Sequence, residues 1–117
     1  MAWQVANELV RGVLKACRAW WRPHAGELFH QLQRSSLSVQ LNIAEGYALK
    51  GRRQFYYHLR VAYGSAVESG DLLELALSER LLPDEEAQTL LASCHRAQRL
   101  LLGMLHRYGG AISALRT

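Results

Sequence analysis

The stretch from Ser38 to Leu73 constrains the fold most, because it combines two helical patterns with a short basic turn between them. Before the turn, residues spaced three and four apart share one helix face that is small and polar: Leu32, Ser35, Val39, Asn42, Ile43 and Gly46. After the turn, a matching apolar stripe follows the same spacing: Phe55, Leu59, Ala62, Ala66, Leu73 and Leu77. Small residues let two helix backbones approach closely, so we expect a tightly packed helical hairpin.

Polar residues on the two facing stripes need partners, because a buried polar group without one costs about 1–3 kcal/mol. We expect Asn42 and Glu45, before the turn, to face Ser65 or Glu68, after it. The four residues then form a structural polar network that fixes how the two helices pack. A buried acid site is the alternative interpretation. The network is favoured, because buried polar groups between packed helices commonly set register.

Helical periodicity along the whole chain predicts four helices, over about residues 2–21, 26–49, 52–80 and 84–108. Pro23 and Pro83 mark two of the breaks, and Lys50-Gly51 turns the chain at the third. Gly109-Gly110 predicts the end of the last helix. No segment alternates like a strand, and short connections favour antiparallel neighbours. We expect a single all-α domain over residues 1–117, an antiparallel up-down-up-down four-helix bundle.

Two of the predicted helices carry more apolar surface than one bundle can bury. Trp3 and Trp21 lie on a second stripe of the first helix, and Leu91 widens the apolar seam of the fourth. Exposed apolar patches of this kind usually mark interfaces. A face that meets a different face of the next copy can close into a ring. We therefore expect a ring-like homo-oligomer.

The charge of the chain is divided unevenly: residues 1–60 hold nine Lys or Arg against three acids, and residues 61–117 hold five against seven. Such a split predicts either an anionic partner or subunits that meet basic side to acidic side. The candidate nucleic-acid-binding cations lie along the first helix and around the Lys50-Gly51 turn: Arg11, Lys15, Arg18, Arg22, Lys50, Arg52, Arg53 and Arg60. Tyr56 and Tyr57 lie among them, and arginine with tyrosine suits a phosphate backbone with occasional base stacking. The residues alone leave both interpretations open.

Residue spacing gives no support for catalysis or for a metal. No nucleophile–base pair and no glycine-rich phosphate loop is present, and Glu27-x-x-His30 lacks the second copy that a di-iron site needs. Cys17 and Cys94 stand alone and predict small core residues. No apolar run approaches the roughly 18 residues of a membrane span, and the N-terminus has no signal pattern. We expect a cytoplasmic protein that is not an enzyme and holds no metal or cofactor.

The run Asn42-Ile43-Ala44-Glu45-Gly46-Tyr47, then a basic turn, Phe55 and Gly64-Ser65-x-x-Glu68, resembles the signature of the S23 family. That family was first met in proteins encoded by intervening sequences of 23S ribosomal RNA genes. The chain is also similar to the accessory variability determinant (Avd) proteins of diversity-generating retroelements. The resemblance covers roughly residues 3–108. It implies a small four-helix bundle, often a homopentamer, that is not known as an enzyme.

The Avd branch of the resemblance implies binding of RNA or DNA and a reverse transcriptase as partner. Three positions depart from the family pattern: Gly51 replaces Ser, Gln54 replaces Glu, and Gly70 replaces a second Glu. The first two would form a capping box, and the third would belong to the polar network. Our leading hypothesis is an oligomeric nucleic-acid-binding accessory protein. The alternative is a protein-interaction scaffold without a nucleic-acid role.

Overall fold

The computed structural model describes residues 1–116, and side chains for residues 1–109. It contains four α-helices: α1 (Ala2–Ala19), α2 (Gly26–Ala48), α3 (Arg52–Ser78) and α4 (Asp84–Arg116). A short 3₁₀ turn, Pro23–Ala25, precedes α2. No described residue lies in a strand, so the prediction of an all-α fold with four helices is confirmed. The molecule is a rod with principal extents of 52 × 21 × 20 Å.

The first helix is shorter than predicted, because Pro23 imposes an extended backbone on the residue before it. Arg22 has φ −158° and ψ 159°, and Trp20 caps the end of α1, so Trp20 and Trp21 both lie outside the helix. The two tryptophans are half exposed, as expected for surplus apolar surface on this element. Trp21 lies over Gly26 and tilts against Phe29, with 6.3 Å between the ring centroids.

The end of α3 is a Schellman motif, in which two backbone N–H groups close the last helical turn. The N–H of Leu81 donates to the carbonyl of Ala76 at 2.8 Å, and the N–H of Arg80 donates to the carbonyl of Leu77 at 3.2 Å. Arg80 takes the left-handed conformation, φ 57°, that glycine usually fills at this position. The motif turns the chain toward Pro83 and the acidic start of α4.

The predicted end of the fourth helix at Tyr108 is wrong, since α4 continues to Arg116. Glycine in a helix interior costs only about 1 kcal/mol relative to alanine, so two glycines weaken a helix without forcing it to stop. Gly109 keeps a negative φ and lies against Tyr56 of α3. Contact with a neighbouring helix therefore outweighs the local stop signal.

The helices pack in a cycle, in which α1 and α3 each contact both α2 and α4. Side-chain pairs between α2 and α3 show how the residue numbers of the two helices are matched. Ser35 pairs with Ser69, and three residues later Ser38 pairs with Ser65. Higher residue numbers in α2 therefore pair with lower residue numbers in α3.

The core consists of two clusters, one at each end of the rod. The aliphatic end is the larger cluster, with side chains from all four helices and the turns near them: Leu9, Val13, Ala16, Cys17, Ala25, Phe29, Leu32, Leu73, Ala76, Leu81, Leu82, Ala87, Leu90, Leu91 and Cys94. The tyrosine end is the smaller cluster, and aromatic rings cover it: Ala2, Ala6, Val39, Ile43, Leu59, Ala62, Ala66, Leu101 and Met104.

Burial corrects one expectation and confirms another. Leu91 was expected to be exposed, but it is only 4% exposed and belongs to the aliphatic end. Close approach of α1 and α4 explains this, because a side chain at Gly12 would collide with Leu90. Cys17 and Cys94 are buried free thiols, as predicted. Within the described residues, none of the helices combines the length and the hydrophobicity needed to cross a bilayer.

Candidate functional site

A column of hydroxyl pairs joins α2 to α3. The side-chain oxygens of Ser35 and Ser69 lie 2.8 Å apart, and those of Ser38 and Ser65 lie 2.7 Å apart. Ser69 also donates to the carbonyl of Ser65 at 2.9 Å. Among the described side chains, every buried polar atom has a hydrogen-bond partner. Ser65 therefore belongs to a polar network between these helices, but its side-chain partner is Ser38 and not, as we had predicted, Asn42 or Glu45.

Asn42 extends the column by bonding a residue that we did not predict, His58. The Asn42 amide nitrogen donates to the Ser38 carbonyl at 2.9 Å, which directs its amide oxygen toward His58 Nδ1, also at 2.9 Å. An amide oxygen can only accept, so His58 Nδ1 carries the proton. Glu45 lies at the rim, with one carboxylate oxygen 3.5 Å from the same nitrogen.

Glu68 is not part of the network: it is exposed, and Ser69 takes the inward position one residue later. The physical reason is that burying a carboxylate costs far more than burying a hydroxyl. A signal for His58 was present in the sequence, because His58, Ser65 and Ser69 follow one flank of the α3 stripe at seven- and four-residue steps.

Gly70, where the family resemblance implies a second Glu, packs closely against α4. Gly70 is buried, and a Cβ placed on it would lie 2.9 Å from Nε2 of Gln98. That nitrogen donates to the carbonyl of Ala66 at 3.0 Å, and the Cys94 thiol reaches the same carbonyl at 3.1 Å. Side chains from α4 thus fill the space that a longer residue at Gly70 would need.

The eight predicted nucleic-acid-binding cations do not form one surface. Lys50, Arg52, Arg53 and Arg60 lie on and just after the α2–α3 turn, at the tyrosine end. Arg11, Lys15, Arg18 and Arg22 follow α1 toward the aliphatic end. All except Arg22 are exposed. The two sets therefore have to be judged separately.

Arg22 is engaged within the fold. Its guanidinium donates to the carbonyls of Trp20, Arg80 and Leu81 at 2.7, 3.2 and 3.0 Å. These bonds tie the end of α1 to the Schellman motif at the end of α3. Arg22 is therefore less available to a nucleic acid than the other seven cations, because it donates to backbone carbonyls at the end of α1 and in the α3–α4 connection.

Acidic side chains lie near one cation of the α1 stripe, Lys15. Lys15 lines a groove between α1 and the start of α4 together with Glu85 and Glu86. Glu86 also accepts a hydrogen bond from the indole nitrogen of Trp20 at 3.0 Å. The carboxylates reduce the positive potential on this side of the rod.

Cations outnumber acids at the tyrosine end, where Glu45 lies beside His58 and Glu8 lines a hollow together with Arg96. Residues 46–67 and 95–109 hold seven Lys or Arg and no Asp or Glu. Among the described side chains, the only contact between oppositely chargeable groups within 4.0 Å is that of His58 with Glu45. The cations of this end thus have no carboxylate partner within the described part of the chain, and their potentials add.

Aromatic rings accompany these cations. Tyr47 packs against Phe55 with 5.0 Å between ring centroids, and Phe55 meets Tyr108 edge-on at 4.9 Å. The Arg107 guanidinium lies 5.7 Å from the centroid of Tyr108, within range of a cation–π contact. Tyr47 itself is 63% exposed.

Two shallow hollows adjoin at Tyr47, and we call them together the Tyr47 surface. The first, about 350 Å³, is lined by Gly46, Tyr47, Leu49, Gly51, Arg52, Phe55 and Tyr108. The second, about 410 Å³, is lined by Met1, Ala2, Tyr47, Arg99, Leu100, Gly103, Met104 and Arg107. Gly51 has φ +110°, a conformation that other residues rarely adopt, and it brings the basic turn beside the first hollow.

The neighbouring tyrosines of α3 diverge, although their cations suggested one shared side. Tyr57 is 59% exposed and touches the His58 ring, whereas Tyr56 packs toward Gly109 of α4. Over the described side chains, no three His, Cys, Asp or Glu residues come close enough together to hold a metal ion.

Comparison with known proteins agrees with this architecture. The crystal structure of a protein of unknown function from the S23 ribosomal protein family of Bacteroides thetaiotaomicron matches with a TM-score of 0.81 and 19% sequence identity. The match covers 90% of this chain and 98% of that one, and at this identity it shows the fold alone. No curated protein sequence matches the chain. The sequence model of the family described as 23S rRNA-intervening sequence protein matches residues 1–103. The chain therefore belongs to the 23S rRNA-intervening sequence protein family.

Proposed function

We propose that the protein is a non-enzymatic nucleic-acid-binding accessory protein that acts through its tyrosine end. One observation supports this function above the others: seven Lys or Arg occur over residues 46–67 and 95–109 without any acid. Lys50, Arg52, Arg53 and Arg60 from the predicted set lie within these residues and are exposed. Exposed cations without internal partners suit phosphate contacts, which supply most of the affinity in non-specific nucleic-acid binding.

The proposal includes assembly. Higher residue numbers in α2 pair with lower residue numbers in α3, and this supports an antiparallel up-down-up-down bundle. Trp3 and Trp21, 39% and 51% exposed, supply apolar surface for contact between copies in a ring, with five copies as the family resemblance implies. A ring repeats each basic surface and so raises the overall affinity for a polyanion through avidity.

The resemblance to Avd proteins extends the proposal to a partner. In this form the protein works in the cytoplasm beside a reverse transcriptase of a diversity-generating retroelement and helps to hold its RNA or DNA. A reverse transcriptase gene next to this one, with template and variable repeats, is the genomic observation that supports this extension. Location inside a 23S ribosomal RNA gene argues against it.

Binding of a structured RNA at 50 and 200 mM salt tests the central claim. A copy that makes four phosphate contacts should lose about a hundredfold in affinity across this range, from a slope of about 0.9 per contact. The double substitution Arg52→Glu/Arg53→Glu should abolish binding. Arg11→Glu/Lys15→Glu, with the same net charge, should retain most of it. Salt-independent binding, or full affinity in the Arg52→Glu/Arg53→Glu variant, contradicts the proposal.

A second candidate function, a protein-interaction scaffold, is favoured by the opposite charge of the two ends. Residues 11–38 and 68–94, at the aliphatic end, hold eight acids against six Lys or Arg. Copies could meet tyrosine end to aliphatic end, which would use the cations between subunits. Mass measurement in solution at low and high salt separates the two: an assembly that dissociates in salt supports the scaffold.

A further inference from the structure

Tyr47 stands between cations on two sides. One hollow of the Tyr47 surface is lined by Arg52, and the other by Arg99 and Arg107. Tyr47 is the aromatic residue common to both hollows, and most of its side chain faces solvent. A ligand that lies across the surface thus meets an aromatic ring in the middle and positive charge on each side.

Tyr47 is also held in place from behind. Phe55 supports it at 5.0 Å and an interplanar angle of 57°, and Tyr108 supports Phe55 edge-on at 82°. Phe55 and Tyr108 are partly buried and pack against the core of the tyrosine end. A ring restrained in this way loses less conformational freedom when a ligand stacks on it.

An exposed ring flanked by cations is the arrangement that proteins use for single-stranded nucleic acid. Bases of a single strand can stack on aromatic side chains while Lys and Arg follow the phosphates, and stacking is tolerant of sequence. A duplex keeps its bases stacked on one another, so it offers this surface phosphates and sugars only. The ring therefore adds affinity for one form of nucleic acid and not for the other.

We infer that the Tyr47 surface binds single-stranded nucleic acid in preference to a duplex, with an unpaired base stacked on Tyr47 and its flanking phosphates at Arg52 and Arg107. The inference rests on the proposed nucleic-acid function and names the form of nucleic acid that the site selects. Tyr57 is not part of this platform, because it lies beside His58 and lines neither of the two hollows.

The test uses one fluorescein-labelled 12-nucleotide RNA of non-self-complementary sequence, either alone or annealed to its complement. Anisotropy titrations of the full chain at two salt concentrations give the affinities for both forms. Tyr47→Leu keeps apolar contact with Phe55 but removes the aromatic face, so single-strand affinity should fall about tenfold while duplex affinity stays within twofold. Tyr47→Phe should restore single-strand binding.

Tyr57→Ala is the matched control, because Tyr57 is exposed to almost the same degree, 59% against 63%. It should leave both affinities within twofold of the unmodified chain. Three results overturn the inference: equal losses for single strand and duplex in Tyr47→Leu, no recovery in Tyr47→Phe, or the same loss in Tyr57→Ala. Each leaves the proposed function standing if the unmodified chain binds RNA in a salt-dependent way. Failure of that chain to bind either RNA overturns both.

Discussion

The aliphatic end and the tyrosine end of this rod are packed with different kinds of side chains. At the aliphatic end, Phe29, Leu32 and Leu73 fill the interior with large side chains, and Arg22 bonds three backbone carbonyls nearby. At the tyrosine end four of the nine buried core residues are alanines, against four of fifteen at the aliphatic end, and partly buried aromatic rings cover the interior. The serine pairs and the Asn42–His58 bond cross between α2 and α3 along the way.

The comparison shows how a short chain can place its main stabilising contacts at one end and its candidate ligand-binding groups at the other. Large buried side chains contribute about 1.5–3 kcal/mol each, so the aliphatic end supplies much of the free energy of folding. The tyrosine end can then carry half-exposed rings and cations without partners, which suit ligand binding better than stability. Both phenylalanines of the chain illustrate the division, since Phe29 is fully buried and Phe55 is partly exposed.

The two phenylalanines provide the largest test of this comparison. Phe29→Ala should cost about 3–5 kcal/mol in the free energy of unfolding, measured by urea denaturation, because it leaves a large cavity. The affinity of the remaining folded protein for single-stranded RNA should be unchanged. Phe55→Ala should cost less stability but weaken RNA binding, because Tyr47 loses its support. Equal effects of the two substitutions on stability and binding would remove the distinction between the ends.

Gly70→Glu tests the α3–α4 contact that lies between the ends. The new carboxylate would meet Gln98 and Cys94 in a buried position, so we expect a loss of about 3 kcal/mol in unfolding free energy. Gly64→Glu is the control, because a Cβ at exposed Gly64 meets nothing within 4 Å. A stable Gly70→Glu variant would mean that α4 lies farther from α3 than described here.

Asn42→Ala tests the polar column. It leaves the Nδ1–H of His58 without its acceptor at a position only 8% exposed, so we expect a loss of about 1–3 kcal/mol. Glu68→Ala, at the predicted network position that is exposed, should stay within about 0.5 kcal/mol. Thermal melts of both variants check the prediction. If Glu68→Ala costs more stability than Asn42→Ala, Glu68 belongs to the network and His58 does not.

Arg22→Gln sharpens the contrast between the two sets of cations. Loss of the guanidinium bonds to three carbonyls should lower the unfolding free energy by about 1 kcal/mol, since the group is partly exposed. The salt dependence of RNA binding should not change. Arg53→Gln should do the opposite, with unchanged stability and a salt slope smaller by about one. A reduced slope in Arg22→Gln would restore Arg22 as a phosphate ligand.

The smallest expected effect concerns the dependence of stability on pH. Burial raises the pKa of the Cys94 thiol to about 11, although a hydrogen bond with Gln98 opposes the shift. In the unfolded chain a thiol ionises near pH 8.5, so above this pH the unfolded state binds fewer protons and gains in relative stability. The stability difference between the unmodified chain and Cys94→Ala should therefore narrow from about pH 8.5 upward. A difference that stays constant to pH 10.5 contradicts the raised pKa.

Local pattern was enough to predict the helices, because the three- and four-residue spacing and the breaks at Pro23, Lys50-Gly51 and Pro83 act within a few residues. The exception is Gly109-Gly110, where tertiary contact outweighs the local stop signal, since Tyr56 packs against Gly109. Leu91 was misjudged for the same reason. How much of a helix face is buried depends on how closely its neighbour approaches.

The partners of polar groups were harder to predict than their presence. Ser65 was expected opposite Asn42 or Glu45, but the register of the two helices pairs it with Ser38. Ser38 lies about one helical turn from Asn42 and about two turns from Glu45, and residue types do not determine which of them is paired. Arg22 bonds residues 58 and 59 positions away in the chain, so no local motif could have shown it.

The shape of the rod gives its charge distribution a geometric consequence. Under the proposed function, the cations of the tyrosine end orient the molecule as it nears a polyanion, so that it approaches tip first. The footprint of each copy on a strand is then set by the 20–21 Å cross-section and not by the 52 Å length. Under the same proposal, neighbouring copies would stand side by side on the strand, and the opposite pole of each would point away from it.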